Sequence, residues 1–233
     1  MQPADIEKLF SSKGGTFRVS PFVFQQKLSN IKAFIFDWDG VFNTGTKGIG
    51  HTSGFSEPDA MGTNLLRFSH WLLTGALPST TIITGEVNES AVALATREHF
   101  TSIYTKSKNK IESFHHFLND QGLKGEEVAF VFDDVLDLGM AKLCGLKIQI
   151  HRHASSMLNE FIQRENLADY VTSCEGGSHA IREICELIIA LRENYNETVI
   201  NRMKFSTEYQ TYLALRQQVE TNVHEQAVIK KTR

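Results

Sequence analysis

The 233-residue chain predicts an α/β fold, a mainly parallel sheet with helices on both faces. Three observations lead there. From residue 31 onward, short apolar runs alternate with longer segments of helical period. Two of those runs stop abruptly at carboxylates: Ile31 to Phe36 at Asp37 and Asp39, and Val128 to Phe132 at Asp133 and Asp134. No internal repeat or low-complexity tract interrupts the order. The length suits one domain of moderate size with a full core.

The elements follow in chain order. Residues 1–29 form an N-terminal extension, with a loop at Ser11 to Gly15 and a short element from Val19 to Leu28. Strands are expected at 31–37, 80–84, 101–105, 128–133, 146–151 and 169–172, and helices at 60–74, 88–99, 108–121, 135–144, 155–165 and 178–194. The runs at 31–37 and 128–133 are mainly apolar up to their closing Asp, as befits strands buried on both faces. Residues 42–58 are rich in Gly and Thr, which suits a hairpin-like flap with glycines at its turns. Ile181, Ile184, Ile188 and Leu191 share one helical face. Val199, Met203, Tyr209, Tyr212, Leu213 and Val219 suggest a further helix, packed on the core or on another subunit. Residues 224–233 are expected to fray. The resulting plan is an extension over 1–29, a core over 30–194 and a C-terminal helical extension and tail over 195–233.

Composition sets bounds on function. The net charge of -3 gives no reason to expect nucleic acid or an acidic membrane as partner. There is no apolar run of bilayer length. The first residues lack a basic-then-apolar signal pattern. Cys144, Cys174 and Cys185 show no CxxC spacing and read as reduced, mostly structural cysteines of a cytoplasmic protein.

The chemistry gathers on the acidic strand ends. Ligands of an open α/β sheet bind at the carboxyl ends of its strands. Two carboxylate pairs meeting there would repel without a cation or proton between them, and Mg²⁺, a hard oxygen-liking ion, fits best. In extended backbone Asp37 and Asp39 point to the same side while Trp38 points elsewhere. A carboxylate beside Mg²⁺ can attack phosphorus, and a second can protonate the leaving oxygen. Thr84 and the N–H groups from Gly85 onward could bind phosphoryl oxygens, and Lys110 could neutralise them. Asp133 could complete the metal shell, with Asp134 and Asp137 orienting Lys110 or metal-bound water.

Asp37-Trp-Asp39-Gly40, Thr84-Gly85, Lys110 and Asp133-Asp134-Val-Leu-Asp137 together resemble the four motifs of the haloacid dehalogenase (HAD) superfamily of phosphotransferases. Three longer stretches resemble its capless branch, which includes 3-deoxy-D-manno-octulosonate 8-phosphate and sialic-acid-pathway phosphatases. They are Phe36 to Phe42; Asp133 to Met140; and Ala168 to Thr172 with Gly176-Gly177 and Ala180 to Glu183. The likeness covers roughly residues 31–190. It implies a Rossmann-like HAD fold without a large cap domain. It also implies a phosphatase acting on a small phosphorylated sugar or sugar acid. By resemblance, Asp37 forms an aspartyl-phosphate and Asp39 is general acid, then base. Mg²⁺ is held by the Asp37 side chain, the Asp39 backbone carbonyl and Asp133, while Thr84 and Lys110 grip the phosphoryl group. The branch also implies a homotetramer in which a neighbouring subunit covers the open site, with residues 42–58 as the flap. Asp59, Glu86 and Arg182 are the substrate-side candidates.

The chain departs from the branch at several places. Phe132 stands where Gly usually precedes the acidic pair, and its ring could narrow the site. Glu86 stands where Arg is common, Pro58 where a basic residue is usual, and His179 where Gly is common. The changes at Glu86 and Pro58 remove positive charge, which a carboxylate-bearing substrate would want. Two further readings stand beside the phosphatase. One is a catalytically weak HAD-fold scaffold. The other is a phospho-accepting receiver domain, disfavoured because the Asp37/Asp39 pair comes first and the adjacent acids late. His151 and His153 have no third metal ligand at suitable spacing and read as a loop pair after a strand.

Overall fold

The computed structural model describes residues 1–48 and 53–225. The chain opens with helix α1 (Pro3–Ser11), strand β1 (Thr16–Phe17) and helix α2 (Pro21–Leu28). A β/α alternation follows: β2 (Ala33–Phe36), α3 (Glu57–Thr74), β3 (Ser79–Ile83), α4 (Glu89–Arg97), β4 (Ser102–Thr105), α5 (Lys110–Gln121) and β5 (Val128–Phe132). It continues through α6 (Leu138–Ala141), β6 (Leu146–His151), α7 (Ser156–Arg164), β7 (Tyr170–Glu175) and α8 (Ala180–Leu191). Two helices, α9 (Tyr195–Met203) and α10 (Thr207–Gln217), and strand β8 (Asn222–Glu225) complete the described chain.

Among the described residues the eight strands form one sheet in the order β1-β7-β6-β5-β2-β3-β4-β8. Every pairing is parallel except β1 with β7. The period of two sorts the side chains onto two cores. Phe34 and Phe36 of β2, with Ala129 and Val131 of β5, face the helices α2, α3 and α8. Ala33 and Ile35, with Val128, Phe130 and Phe132, face α5, α6 and α7. No helix among the described residues is long and apolar enough to cross a membrane.

All six expected strands are present, and the differences from expectation have local causes. Helix α3 starts at Glu57 rather than 60, because the Ser56 hydroxyl caps it by accepting from Asp59 N at 3.2 Å. Pro58 therefore sits in the first helical turn, where its missing N–H costs nothing. The helix expected over 135–144 is shorter, a 3-10 turn at Val135–Asp137 followed by α6. The single helix expected after 195 is two, broken where Phe205 takes a left-handed φ of 48° and Ser206 caps α10. Both pack on their own chain: Tyr209 and Tyr212 meet Phe68 and Trp71 of α3.

Two terminal strands and α1 were not expected. Ile6 of α1 joins Phe24 and Leu28 of α2 in the first core, so the N-terminal extension is part of the packed body. His224 and Glu225, expected to fray, lie in β8 beside β4; residues 226–233 lie outside the described residues. The middle of the expected flap hairpin, 49–52, also lies outside them.

Candidate active site

The sheet order places the acids. Strand β2 runs between β5 and β3, all parallel, so three adjacent carboxyl ends meet on one edge. Asp37 follows β2 and donates its backbone N–H to Val131 O at 3.0 Å. Asp133 follows β5, and Thr84 follows β3 with its N–H donating to Tyr104 O at 2.9 Å. Lys110, first residue of α5, completes the group from beyond β4.

These residues line one cleft of about 290 Å³, together with Asp39, Gly45, Lys47, Gly85, Glu86, Asp134, Asp137 and Arg152. Gly40, with φ of +84°, turns the chain beneath it. A Cβ there would collide with the Asp133 carboxylate and the Arg152 guanidinium.

Lys110 organises the floor. Its Nζ donates to Asp37 Oδ1 and to Asp137 Oδ1, each at 2.5 Å, and it is 6% exposed. Asp37, Asp133 and Asp137 each bring a carboxylate oxygen within 4.8 Å of the others, all three buried. The Lys110 ammonium thus serves two of the three acids, and the Arg152 guanidinium donates to the third, Asp133. Burial pushes the Asp37 carboxyl well above the usual carboxylate range; Lys110 opposes this, and Asp137 and Asp133 add to it. Burial likewise lifts Asp133 to about 6, with Asp137 adding and Arg152 opposing. Burial works against the charge on Lys110, but Asp37 and Asp137 outweigh it, so its pKa is raised and the ammonium stays protonated. The cluster carries excess negative charge, and its all-oxygen donor set is that of a divalent-metal site.

Asp39 stands higher and is half-buried. Its carboxylate accepts from Ser53 Oγ at 2.9 Å and from Asn88 Nδ2 at 3.1 Å, and it pairs with Lys47 at 2.9 Å. Asn88 also donates to Thr84 Oγ1 at 2.8 Å, tying two candidate residues together. Asp134 is exposed; its carboxylate accepts from Val135 N at 2.7 Å and caps the turn rather than meeting Lys110.

Asp59, Arg182 and Phe132 stand elsewhere than the sequence suggests. Asp59 does not line the cleft: it is fully buried at the start of α3, where it accepts from Ser56 Oγ at 2.7 Å and Arg182 N at 2.9 Å. The Arg182 side chain lies on α8 and donates to Glu186 at 2.7 Å, also away from the cleft. Phe132 does not narrow the site. It alternates away from the acids and stacks on Phe130, ring centroids 5.5 Å apart, in the second core. Glu86, the third substrate-side candidate, does line the cleft. His151 ends β6, its ring 6.5 Å from that of His153, and neither joins the acidic group.

Sequence reasoning missed Lys47, Ser53, Asn88 and Arg152. Asn88 is four residues past Thr84, a spacing that carries no signal before the turn between β3 and α4 is known. Arg152 was hidden inside the His151–His153 pair.

The chain matches no family model. It is 30% identical over 183 residues to the 3-deoxy-D-manno-octulosonate 8-phosphate phosphatase KdsC of Salmonella typhimurium, covering 77% of this chain and 89% of that one. The enzyme of the same name from Moraxella catarrhalis was solved with magnesium ion, phosphate ion and KDO. Its structure superposes with a TM-score of 0.64 at 25% identity, covering 76% of this chain and 97% of that one. A HAD-superfamily subfamily III A hydrolase from Legionella pneumophila gives a TM-score of 0.65 at 25% identity, covering 78% and 95%. With this sequence identity and this fold, the chain belongs to the KdsC-like phosphatases of the haloacid dehalogenase superfamily.

Proposed function

We propose that the chain is a Mg²⁺-dependent phosphomonoester hydrolase that works through an aspartyl-phosphate on a small sugar or sugar-acid phosphate, octulosonate 8-phosphate-like in size and charge. The observation that carries this reading is the buried Asp37–Lys110–Asp137 bridge beside Asp133, a nucleophile, a phosphate-binding cation and a metal site in one cleft. The magnesium in the Moraxella catarrhalis relative supports the choice of ion.

In this reading Asp37 and Asp133, with the Asp39 backbone carbonyl, would hold Mg²⁺, and the ion would supply charge neutralisation at the phosphoryl oxygens. An Asp37 carboxylate oxygen attacks phosphorus, and the bond from phosphorus to the ester oxygen breaks. Asp39, raised above the floor by Asn88, Ser53 and Lys47, gives its proton to the departing oxygen. It then takes a proton from water as that water attacks phosphorus. The bond from phosphorus to Asp37 breaks, and inorganic phosphate leaves. Thr84, the Gly85 region and Lys110 hold the phosphoryl oxygens throughout, and Asp137 orients Lys110.

The chemistry is assigned to residues 30–194, with the flap ending at Ser56, since Glu57 and Pro58 begin α3, and the terminal segments as packing additions. A homotetramer agrees with the apolar rim beside the cleft, where Val135 is 59% and Leu136 72% exposed. Light scattering of the purified protein tests the assembly; a monomer would remove it. The phosphatase mechanism is tested by phosphate release from a generic ester with and without Mg²⁺. Turnover lost in Asp37→Asn supports it, whereas turnover that survives the substitution assigns the nucleophile elsewhere. A folded, metal-binding protein without turnover would favour the scaffold reading.

A further inference from the structure

Among the described residues the cleft is lined by six carboxylates, Asp37, Asp39, Glu86, Asp133, Asp134 and Asp137, and by three cations, Lys47, Lys110 and Arg152. All three cations are paired with acids: Lys110 is buried between Asp37 and Asp137, Lys47 sits on Asp39, and Arg152 on Asp133. Arg152 differs in chemistry, a planar guanidinium where the others are ammoniums. It follows directly on β6, its side chain is 37% exposed, and its guanidinium donates to Asp133 Oδ2.

The backbone on both sides of Arg152 is pinned. His151 N donates to Thr172 Oγ1 at 2.9 Å, and His153 N to Glu175 Oε1 at 2.7 Å. Ser155 N closes the turn on Arg152 O at 3.1 Å. The loop therefore aims one long, adaptable cation into the cleft from a fixed base.

The group that Arg152 touches is the one a divalent cation would claim. Asp133 belongs to the three-acid cluster, and the guanidinium lies against Gly40. Cation and guanidinium contend for the same oxygens. A divalent ion on Asp133 weakens the hold on Arg152 and leaves a planar, charged fork at the cleft mouth, suited to bidentate pairing with a carboxylate. Glu86 lines the same cleft and would repel that carboxylate, so recognition of a second anion needs a cation elsewhere.

We propose that Arg152 is the specificity-determining residue of the cleft: it rests on Asp133 in the metal-free protein and turns to a carboxylate of the substrate once a divalent cation takes Asp133. This rests on the metal-dependent phosphatase reading of a sugar-acid phosphate and adds the residue that reads the substrate's carboxylate.

The test uses the full chain with Arg152→Gln and Arg152→Lys. Mn²⁺ alone is titrated by electron paramagnetic resonance, without substrate. Turnover is compared on a carboxylated sugar phosphate and on a hexose 6-phosphate. Arg152→Gln is expected to bind Mn²⁺ more tightly, because an internal competitor is gone. Its kcat/KM for the carboxylated ester is expected to fall by roughly 10- to 100-fold, mostly through KM, with a much smaller change for the hexose ester. Arg152→Lys should recover part of the loss. Equal losses on both esters, or Mn²⁺ affinity no tighter in Arg152→Gln, overturn the proposal while leaving the phosphatase intact. Absence of turnover by the unsubstituted protein on either ester removes the phosphatase reading and this proposal with it.

Discussion

Replacing Lys110 with Met tests how the acid cluster is held together. The ammonium is buried between Asp37 and Asp137 at 2.5 Å from each, and Met fills similar space without charge. Removing one partner of a buried ion pair costs about 3–5 kcal/mol, because the remaining charge is left without compensation. Here the loss should fall toward about 3 kcal/mol, since the raised Asp37 and Asp133 carboxyls can take up protons instead. For a chain of this size that corresponds to a Tm lower by roughly 6–12 °C in metal-free buffer. The deficit should shrink as pH falls and the carboxyls protonate. It should also shrink with Mg²⁺, which replaces the missing cation. Thermal unfolding followed by circular dichroism, with EDTA and with Mg²⁺, reads both effects. A Tm unchanged by Lys110→Met in EDTA would refute the reasoning. So would a deficit that Mg²⁺ leaves untouched.

Three further outcomes are expected. Asp39→Asn should slow turnover by about 10²- to 10⁴-fold while Mg²⁺ affinity measured by calorimetry changes little, because the proposed mechanism uses the side chain as proton carrier and not as metal ligand; unchanged turnover would remove Asp39 from that role. Phe132→Ala should cost about 3–5 kcal/mol in urea unfolding, since the ring is fully buried against Phe130, whereas a gain in activity without a stability loss would restore the crowded-site expectation. His70, lowered from 6.5 to about 3 by burial and then by the Arg192 charge, should make stability fall as pH drops below 6.5. The unfolded chain then binds a proton that the folded chain refuses, about 1.4 kcal/mol per pH unit for this group until pH approaches its folded value; His70→Gln should flatten that part of the stability–pH curve.

Much of this architecture is legible in sequence because the informative residues carry local rules. An apolar run ending in Asp37-Trp-Asp39-Gly40 reads as a buried strand meeting a ligand edge, and the β/α alternation reads as a parallel sheet. What escaped was set by tertiary pairing. Strand β1 has two residues and exists only because β7 offers an edge. Strand β8 likewise exists beside β4, where His224 stacks on Tyr104 with ring centroids 4.7 Å apart. Of the three substrate-side candidates, Glu86 lines the cleft and the other two do not, for the same reason. Asp59 and Arg182 carry charges typical of a site, yet one accepts hydrogen bonds inside the α3–α8 packing and the other lies along α8. Arg152, with no motif around it, enters the cleft because β6 ends beside β5.

The central claim is a metal-dependent phosphatase with Asp37 as nucleophile. The most direct measurement is phosphate release from a panel of sugar phosphates, octulosonate and nonulosonate phosphates included, with Mg²⁺ and with EDTA, for the unsubstituted protein and Asp37→Asn. The account predicts Mg²⁺-dependent release concentrated on carboxylated sugar phosphates and abolished by Asp37→Asn. No release from any ester by folded protein with Mg²⁺ bound, or release that persists in Asp37→Asn, would contradict it.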